Sequence, residues 1–236
     1  MKGTELAVRF SYIVNKLGYC GPHKAKESFA DYFSKQNDAE IEKHLKKFEG
    51  FYPYLETIAE ETGKKFSDFD VVEAYWIGNE LLDKCGKDVM VKVIDKLVQR
   101  GLPEFIGESL IKELPQNGIP HHLFHVLYVG VGQTTGRVEG TLQNMDNCRP
   151  SWGKVVEVMN DKLMVETQPL EAEKNKYKLG KPEIKTVVYM KDMLKGIRKG
   201  DFVAIHWGFA PLILTEKQRI NLEKYTKKVI NIVNST

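Results

Sequence analysis

The first half of the chain alternates apolar and polar residues with the period of amphipathic helices. The stretch from Thr4 to Leu17 is typical, because its apolar residues recur every three or four positions and fall on one face. Thr4 is a suitable N-cap, and Gly18 suits the position just beyond the helix. Similar stripes, separated by Gly, Pro or Asn, continue to Leu114. The pattern predicts a multi-helix domain.

The segment between Pro115 and Cys148 is less regular. Residues His121 to Val129 form an apolar run of a length that suits either a strand or a buried helix, and periodicity does not separate the two. We expect a helix here. Several glycines follow, and a short helix is predicted from Val138 to Met145.

After Cys148 the period changes to two. Apolar positions on either side of an Asn160-Asp161 turn predict a β-hairpin. Two further strands are predicted at 186–189 and 202–207, the charged stretch 171–182 is expected to be a loop, and a final helix follows Thr215. The expected fold is α+β, with an all-α multi-helix domain over residues 1–145 and a small β-barrel with a C-terminal helix over residues 146–236.

Composition fits a globular protein, with 236 residues of which 42% are hydrophobic and 28% charged. No apolar run has the length of a membrane span, and the first residues lead into an amphipathic pattern rather than a signal peptide. We therefore expect no membrane partner. The three cysteines, at positions 20, 85 and 148, form no disulfide framework, which favours the reducing cytoplasm.

Charge is unevenly divided along the chain. Residues 1–145 carry 18 basic and 21 acidic side chains, a net of −3, whereas residues 146–236 carry 17 and 11, a net of +6. The basic part lacks the Arg-rich and Gly-aromatic patterns of nucleic-acid binders. Its charge favours an acidic protein partner over nucleic acid.

Two stretches of the second half point to a known family. One is the Gly-Asp-Phe-Val-Ala-Ile-His-Trp-Gly-Phe-Ala sequence of residues 200–210, and the other runs from Cys148 through Gly153-Lys154-Val155. Together they resemble the hydrogenase assembly chaperone family (HypC/HupF type), from Cys148 to the last residue. In that family the cysteine is at the mature N-terminus, and a proline usually precedes the glycine, where this chain has Trp152.

The resemblance implies a small OB-like barrel and a role for two residues. In the family, the matching cysteine and histidine help to carry an iron centre with diatomic ligands to the hydrogenase large subunit. Carried over, that role falls on Cys148 and His206. A thiolate and a neutral imidazole are also suitable ligands for iron or zinc on chemical grounds alone.

His121, His122 and His125 form a second candidate metal site. If their segment is helical, His121 and His125 stand four residues apart on one face and could share a metal. Because Cys148 is internal, its thiol is expected to face the N-terminal domain. We therefore predict that Cys148 lies at the domain interface, close to this histidine cluster.

A third constellation is acidic and aromatic. Glu49 and Glu73 could be paired carboxylates in a pocket lined by Tyr52, Tyr75 and Trp76, or these residues could be a helical core with polar ends. The stretches 17–22 and 73–79 also resemble an uncharacterised prokaryotic family with a helical domain before a chaperone-like tail. Walker, nucleophile-elbow and CxxC motifs are absent from the sequence, so no nucleotide cofactor is expected.

These patterns predict an accessory or assembly factor for a metalloenzyme, with a nickel–iron hydrogenase large subunit or a maturation protein as partner. One alternative is a metalloenzyme whose site lies in the helical domain. Another is a binding module without metal.

Overall fold

The computed structural model describes residues 1–174 and 176–236, and helices dominate its first two thirds. Within that range the α-helices are α1 (Gly3–Lys16), α2 (Ala25–Lys35), α3 (Asp38–Leu45), α4 (Tyr52–Thr62), α5 (Phe69–Trp76), α6 (Lys87–Val98), α7 (Glu104–Glu113), α8 (His122–Phe124), α9 (Leu142–Cys148) and α10 (Glu216–Val233). A 3₁₀-helix (Glu80–Lys84) follows α5, and a π-helix (His125–Gly130) continues α8. The predicted multi-helix first half is confirmed.

Helix α1 is the central element of this helical part. Eleven of its fourteen residues are buried, and it packs against α5, α2 and α3. Its other side meets the second half of the chain. There, buried Arg9 donates hydrogen bonds to the carbonyls of Met193 (2.6 Å) and Pro211 (3.1 Å). One helix therefore joins both parts of the fold.

The second half is built on a four-stranded antiparallel sheet in the order β5-β2-β1-β6. Its strands are β1 (Ser151–Val158), β2 (Lys162–Thr167), β5 (Glu183–Val188) and β6 (Phe202–Ile205), and a bulge interrupts β1 between Val155 and Glu157. The predicted hairpin corresponds to β1 and β2. A separate two-stranded ribbon pairs β3 (Leu170–Glu173) with β4 (Lys176–Leu179).

The prediction of a closed β-barrel is wrong for the residues that the structure describes. The edge strands β5 and β6 do not pair along their length, and one bridge, between Val188 and Phe209, links the two edges. Four strands of four to eight residues are too few to close a barrel whose interior side chains fill. The open face is covered by helices instead, with α10 packed on β1.

Two other predictions have clear outcomes. The expected helix over 121–129 is confirmed as α8 and the π-helix. The charged segment 171–182, expected to be a loop, contains most of the β3–β4 ribbon. Glu171 and Lys178 face each other across that ribbon, and such charged pairs alternate with the apolar pairs Leu170–Leu179 and Ala172–Tyr177. Cross-strand pairs of both kinds stabilise the two short strands.

The hydrophobic core runs without a break from the helices into the sheet. Helix α10 returns to the helical part, where the Tyr225 ring packs directly on Gly78 and its hydroxyl donates to the carbonyl of Asn79 (2.8 Å). A Cβ at Gly78 would stand 2.2 Å from that ring, and the residue has a φ of +92°, so only glycine suits this position. The division into domains 1–145 and 146–236 stays a prediction.

No helix among the described residues combines the length and apolar character needed to cross a bilayer.

A buried ion pair fastens α9 to the sheet. Arg149, 2% exposed, donates to Asp146 Oδ1 (2.8 Å) and to the Gln168 carbonyl, while Asp146 also accepts from the Leu170 amide (2.8 Å) and from Lys185 Nζ (2.9 Å). Burial by itself would raise the pKa of Asp146. The charge of Arg149 and the hydrogen bonds from Lys185 and Leu170 outweigh it, so the pKa of Asp146 is lowered.

We expect Asp146→Asn to lower the free energy of unfolding at pH 7 by about 3–5 kcal/mol, because it leaves Arg149 buried without its counter-charge. A carboxyl with a lowered pKa stabilises the fold above its unfolded pKa of about 4 and loses that contribution as the pH falls through the folded value. The difference between variant and parent should therefore shrink below about pH 4. Urea unfolding at pH 7, 5 and 3 measures it.

Asp31→Asn is the matched control, since Asp31 pairs with Lys35 on the surface (2.6 Å). It should cost no more than about 1 kcal/mol at any of these pH values. Equal effects of the two substitutions would show that the buried network contributes nothing special.

Candidate metal site

Three of the five predicted metal ligands meet where α1, α8, α9 and the end of β6 converge. One ring nitrogen each of His122 and His206 and the sulfur of Cys148 all lie within 4.8 Å of one another. The sulfur is 3.5 Å from His122 Nε2. Cys148 thus lies close to one member of the predicted histidine cluster, His122, as expected. His206 belongs to the same group.

His206 is held in one tautomer by helix α1. Its Nδ1 lies 3.1 Å from the carbonyl oxygen of Phe10, so Nδ1–H donates and Nε2 carries the lone pair. His206 is 1% exposed, and Nε2 has no hydrogen-bond partner among the described residues. Burial lowers the pKa of His206 to about 4, so the ring is neutral at pH 7.

His122 is held between a tyrosine and a backbone carbonyl. Its Nδ1 lies 2.7 Å from the hydroxyl of Tyr75, and its Nε2 lies 3.0 Å from the carbonyl oxygen of Cys148. In this arrangement Nε2–H donates to the carbonyl and Nδ1 accepts from Tyr75. Burial, with the nearby imidazole of His206, places the pKa of His122 well below its usual value.

Cys148 is a protonated thiol in this environment. Burial raises the pKa of Cys148 to about 12, although the Trp207 indole beside the sulfur acts to lower it. The residue is the last of α9 and precedes Arg149, whose ion pair fixes the end of that helix. Its position is therefore set by the same network that fastens α9 to the sheet.

Trp207 occupies an unusual backbone conformation. Residues 206–209 form a tight turn in which the amide and carbonyl of His206 pair with those of Phe209 (2.9 and 3.0 Å), and Trp207 and Gly208 have φ of +52° and +65°. Positive φ at both central positions is the arrangement of a type I′ turn, which favours Asn and Gly. A tryptophan there costs about 1–2 kcal/mol.

The strained turn is held in place from two sides. The Trp207 amide donates to the carbonyl of Asn147 (2.7 Å), and its ring packs on Tyr19 with centroids 4.6 Å apart. The contacts keep the indole next to Cys148 and close one side of the site. Strain of this kind is typical of functional positions.

A cavity of about 60 Å³ opens beside the three ligand atoms. Trp76 forms one wall, with its ring 4.4 Å from that of His122 and 5.1 Å from that of His206. Tyr75, Cys20 and Thr134 also line it. Since one water needs roughly 10–15 Å³ of such space, the cavity has room for about four to six water-sized groups.

The remaining predicted ligands lie outside the three-residue group. His125 lines the cavity, but its Nδ1 is bonded to the Tyr54 hydroxyl (3.1 Å). His121 caps α8, where its Nδ1 accepts from the Leu123 amide, and its ring stacks on Tyr225 at 6.3 Å. Although four residues apart, His121 and His125 do not share a site, because the first precedes the helix and the second begins its π-helical part.

The paired carboxylates of the third constellation do not form. Glu49 pairs with Arg137 (3.2 Å), whereas Glu73 accepts from Asn79 and Gln218. Tyr75 and Trp76 do line the cavity, and the partner that they meet there is the histidine group. Cys20 also lines the cavity, whereas the nearby His23 is exposed.

Sequence reasoning missed the roles of Trp207, Tyr75 and the Phe10 carbonyl. Trp207 stands inside the motif that was singled out, and a bulky residue before Gly208 in a turn was an available signal. Nothing in the local sequence marks the Phe10 carbonyl, because its partner His206 is 196 residues away.

The three thiols of the protein should be unreactive in the folded state. Burial raises the pKa of Cys20 and Cys148 to about 12 and that of Cys85 to about 11, so almost no thiolate exists at pH 8. We expect slow labelling of all three by a thiol reagent in the native state, and fast labelling in urea. Rapid reaction of Cys148 in the native protein would contradict the buried, protonated state.

The family of unknown function DUF6390 matches residues 1–236. No curated protein and no solved structure matches the chain.

Proposed function

The chain belongs to the DUF6390 family, and we propose that it is a metal-binding protein that holds one zinc or ferrous ion through His122, Cys148 and His206. The observation that carries the proposal is the approach of three ligand atoms, from two buried histidines and the partly buried Cys148, to within 4.8 Å. Mg²⁺ and Ca²⁺ prefer oxygen ligands, whereas two imidazoles and a thiolate suit zinc, iron and copper.

The spacing of the ligand atoms supports this proposal. A nitrogen about 2.0 Å and a sulfur about 2.3 Å from one tetrahedral ion stand roughly 3.5 Å apart. Cys148 Sγ and His122 Nε2 are separated by 3.5 Å. The other separations, up to 4.8 Å, require closure by about 1 Å on binding.

The groups that hydrogen-bond to the two histidines also support the proposed metal site. Histidine ligands of metals commonly donate their other ring N–H to a carbonyl, which fixes the tautomer. His206 does so to Phe10 already. His122 needs a change of tautomer, in which Nδ1–H donates to Tyr75 and Nε2 gives up its bond to the Cys148 carbonyl. Each ion bound also displaces the proton of the Cys148 thiol.

The accessory role in hydrogenase maturation is proposed from the resemblance. Its support is that Cys148 and His206, the two residues to which the family role carries over, lie in one group. The partner under this proposal is a hydrogenase large subunit or a maturation protein.

The second candidate is a protein that uses a resident metal, as an enzyme would. Its support is the burial of the two imidazoles, since His122 and His206 are 7% and 1% exposed, and the cavity beside them. A carrier must release its ion to a partner, whereas a site enclosed in this way retains one. The site lies where the two halves of the chain meet, and not within the helical half alone.

We expect the anaerobically purified protein to bind about one zinc or ferrous ion per chain. Cys148→Ser and His206→Gln should each weaken binding by more than the 10–100-fold typical of lost second-layer partners. Cys85→Ser is the matched control, because Cys85 is buried but outside the group, and it should leave affinity unchanged. Competition with a chromophoric chelator measures the affinity, and circular dichroism verifies the fold. Equal binding by all variants would refute the site.

The two roles differ in how fast the ion leaves. A resident ion should exchange with excess chelator over hours, whereas a carrier should lose it within minutes in the presence of its partner. Anaerobic purification of the tagged protein from its native host, followed by mass spectrometry, tests for a hydrogenase large subunit. Slow exchange together with no such partner would favour the resident-metal role over the accessory one.

A further inference from the structure

Several residues that line the cavity beside the three-residue group carry an unpaired polar atom. Five buried atoms of its lining have no hydrogen-bond partner among the described residues. They are Ser11 Oγ, Trp76 Nε1, Thr134 Oγ1, His206 Nε2 and Trp207 Nε1. A buried polar group without a partner costs about 1–3 kcal/mol, so several around one cavity indicate a ligand that satisfies them.

The chemistry of these atoms restricts the ligand. The indole N–H groups of Trp76 and Trp207 can only donate, and the hydroxyls of Ser11 and Thr134 can donate. His206 Nε2 is the exception, because under the proposed function its lone pair binds the metal. The Trp207 indole lies beside the Cys148 sulfur and is the natural donor to its thiolate. The three remaining atoms, from three separate segments of the chain, therefore favour a ligand made of hydrogen-bond acceptors.

Charge balance restricts the choice of ligand further. A divalent ion with one thiolate and two neutral imidazoles leaves a net charge of +1 in a buried site. The described lining of the cavity contains no Lys, Arg, Asp or Glu, and the nearby Glu49 and Arg137 neutralise each other. An uncompensated buried charge is costly, and one monovalent anion removes it.

The volume of the cavity limits the size of the ligand. The volume of about 60 Å³ corresponds to roughly four to six water-sized groups. Trp76 and Trp207 form walls that pack against the rings of His122 and Tyr19, so they leave little freedom to widen the cavity.

We propose that the cavity binds a small monoanion, of a few heavy atoms, at the open position of the metal. The inference rests on the proposed function, because without the ion the site has no positive charge to balance. The anion takes the place beside Cys148, and the hydroxyls of Ser11 and Thr134 and the indole of Trp76 donate to it.

The test uses the full chain loaded with Co²⁺, whose absorption reports on its ligands. Sodium azide and sodium formate should each change the spectrum in a saturable way. Formamide, a neutral molecule of the size of formate, should not. A saturable response to formamide as strong as that to formate would overturn the charge argument.

Ser11→Ala and Thr134→Val test the donors with little change of volume. Each should weaken azide binding by about 10- to 100-fold, as expected for a lost hydrogen bond to a charged group, and leave Co²⁺ affinity unchanged. Because each removes an unpaired buried hydroxyl, the metal-free variant should be as stable as the parent or more stable. Thr226→Val is the matched control, since Thr226 has a buried unpaired hydroxyl in α10, outside the cavity. It should leave azide affinity unchanged.

The outcomes separate the two proposals. Co²⁺ binding with no response to azide or formate, or equal azide affinity in all variants, would overturn the anion site and leave the metal site standing. Loss of azide affinity in Thr226→Val as well would assign the effect to general destabilisation and also overturn it. Failure to bind Co²⁺, in a protein shown to be folded, would remove both.

Discussion

Burial of α1 on nearly all sides is the constraint from which the arrangement of the site follows. A helix with eleven of fourteen residues buried must be covered by two layers, here the neighbouring helices and the second half of the chain. The sheet comes close enough for the Phe10 carbonyl to meet His206 and for Arg9 to reach Met193 and Pro211. The site lies in the seam between these layers.

Several features of this seam lower the stability of the fold. Three imidazoles of the 121–125 segment and that of His206 are buried, and burial holds their pKa values low, so none contributes a charge at neutral pH. Trp207 is held with positive φ, and five polar atoms of the cavity are unpaired. Natural proteins carry such costs where function needs them, and the continuous hydrophobic core offsets them.

Much of this architecture could be predicted locally. Three elements form where residues close in sequence predict them. They are the amphipathic helix α1, the hairpin at Asn160-Asp161 and the helix that begins with the capping box of Thr215 and Gln218. The barrel was mispredicted because strand pairing at the sheet edges depends on long-range packing. The ribbon of β3 and β4 was missed because each strand has only four residues, too short a stretch for its alternation of apolar and charged positions to stand out.

The candidate site could be predicted only in part, for a related reason. Cys148, His122 and His206 carry metal-binding chemistry that composition and motif reveal. That His121 and His125 lie outside this group depends on where α8 begins and on its transition to a π-helix. Side-chain periodicity shows neither of these features. The supporting partners, Tyr75 and the Phe10 carbonyl, are brought in by tertiary contacts alone.

The sequence distance between Phe10 and His206 has a consequence for biogenesis. Helical segments close in sequence can fold while the chain is still being synthesised, and pairings between distant residues form late. A nascent chain that ends before residue 206 can already hold His122 and Cys148 near each other, 26 residues apart, yet it lacks the third imidazole. Acquisition of a ligand by this site would therefore follow the closing of the fold, so that occupancy marks molecules whose first and last elements have met.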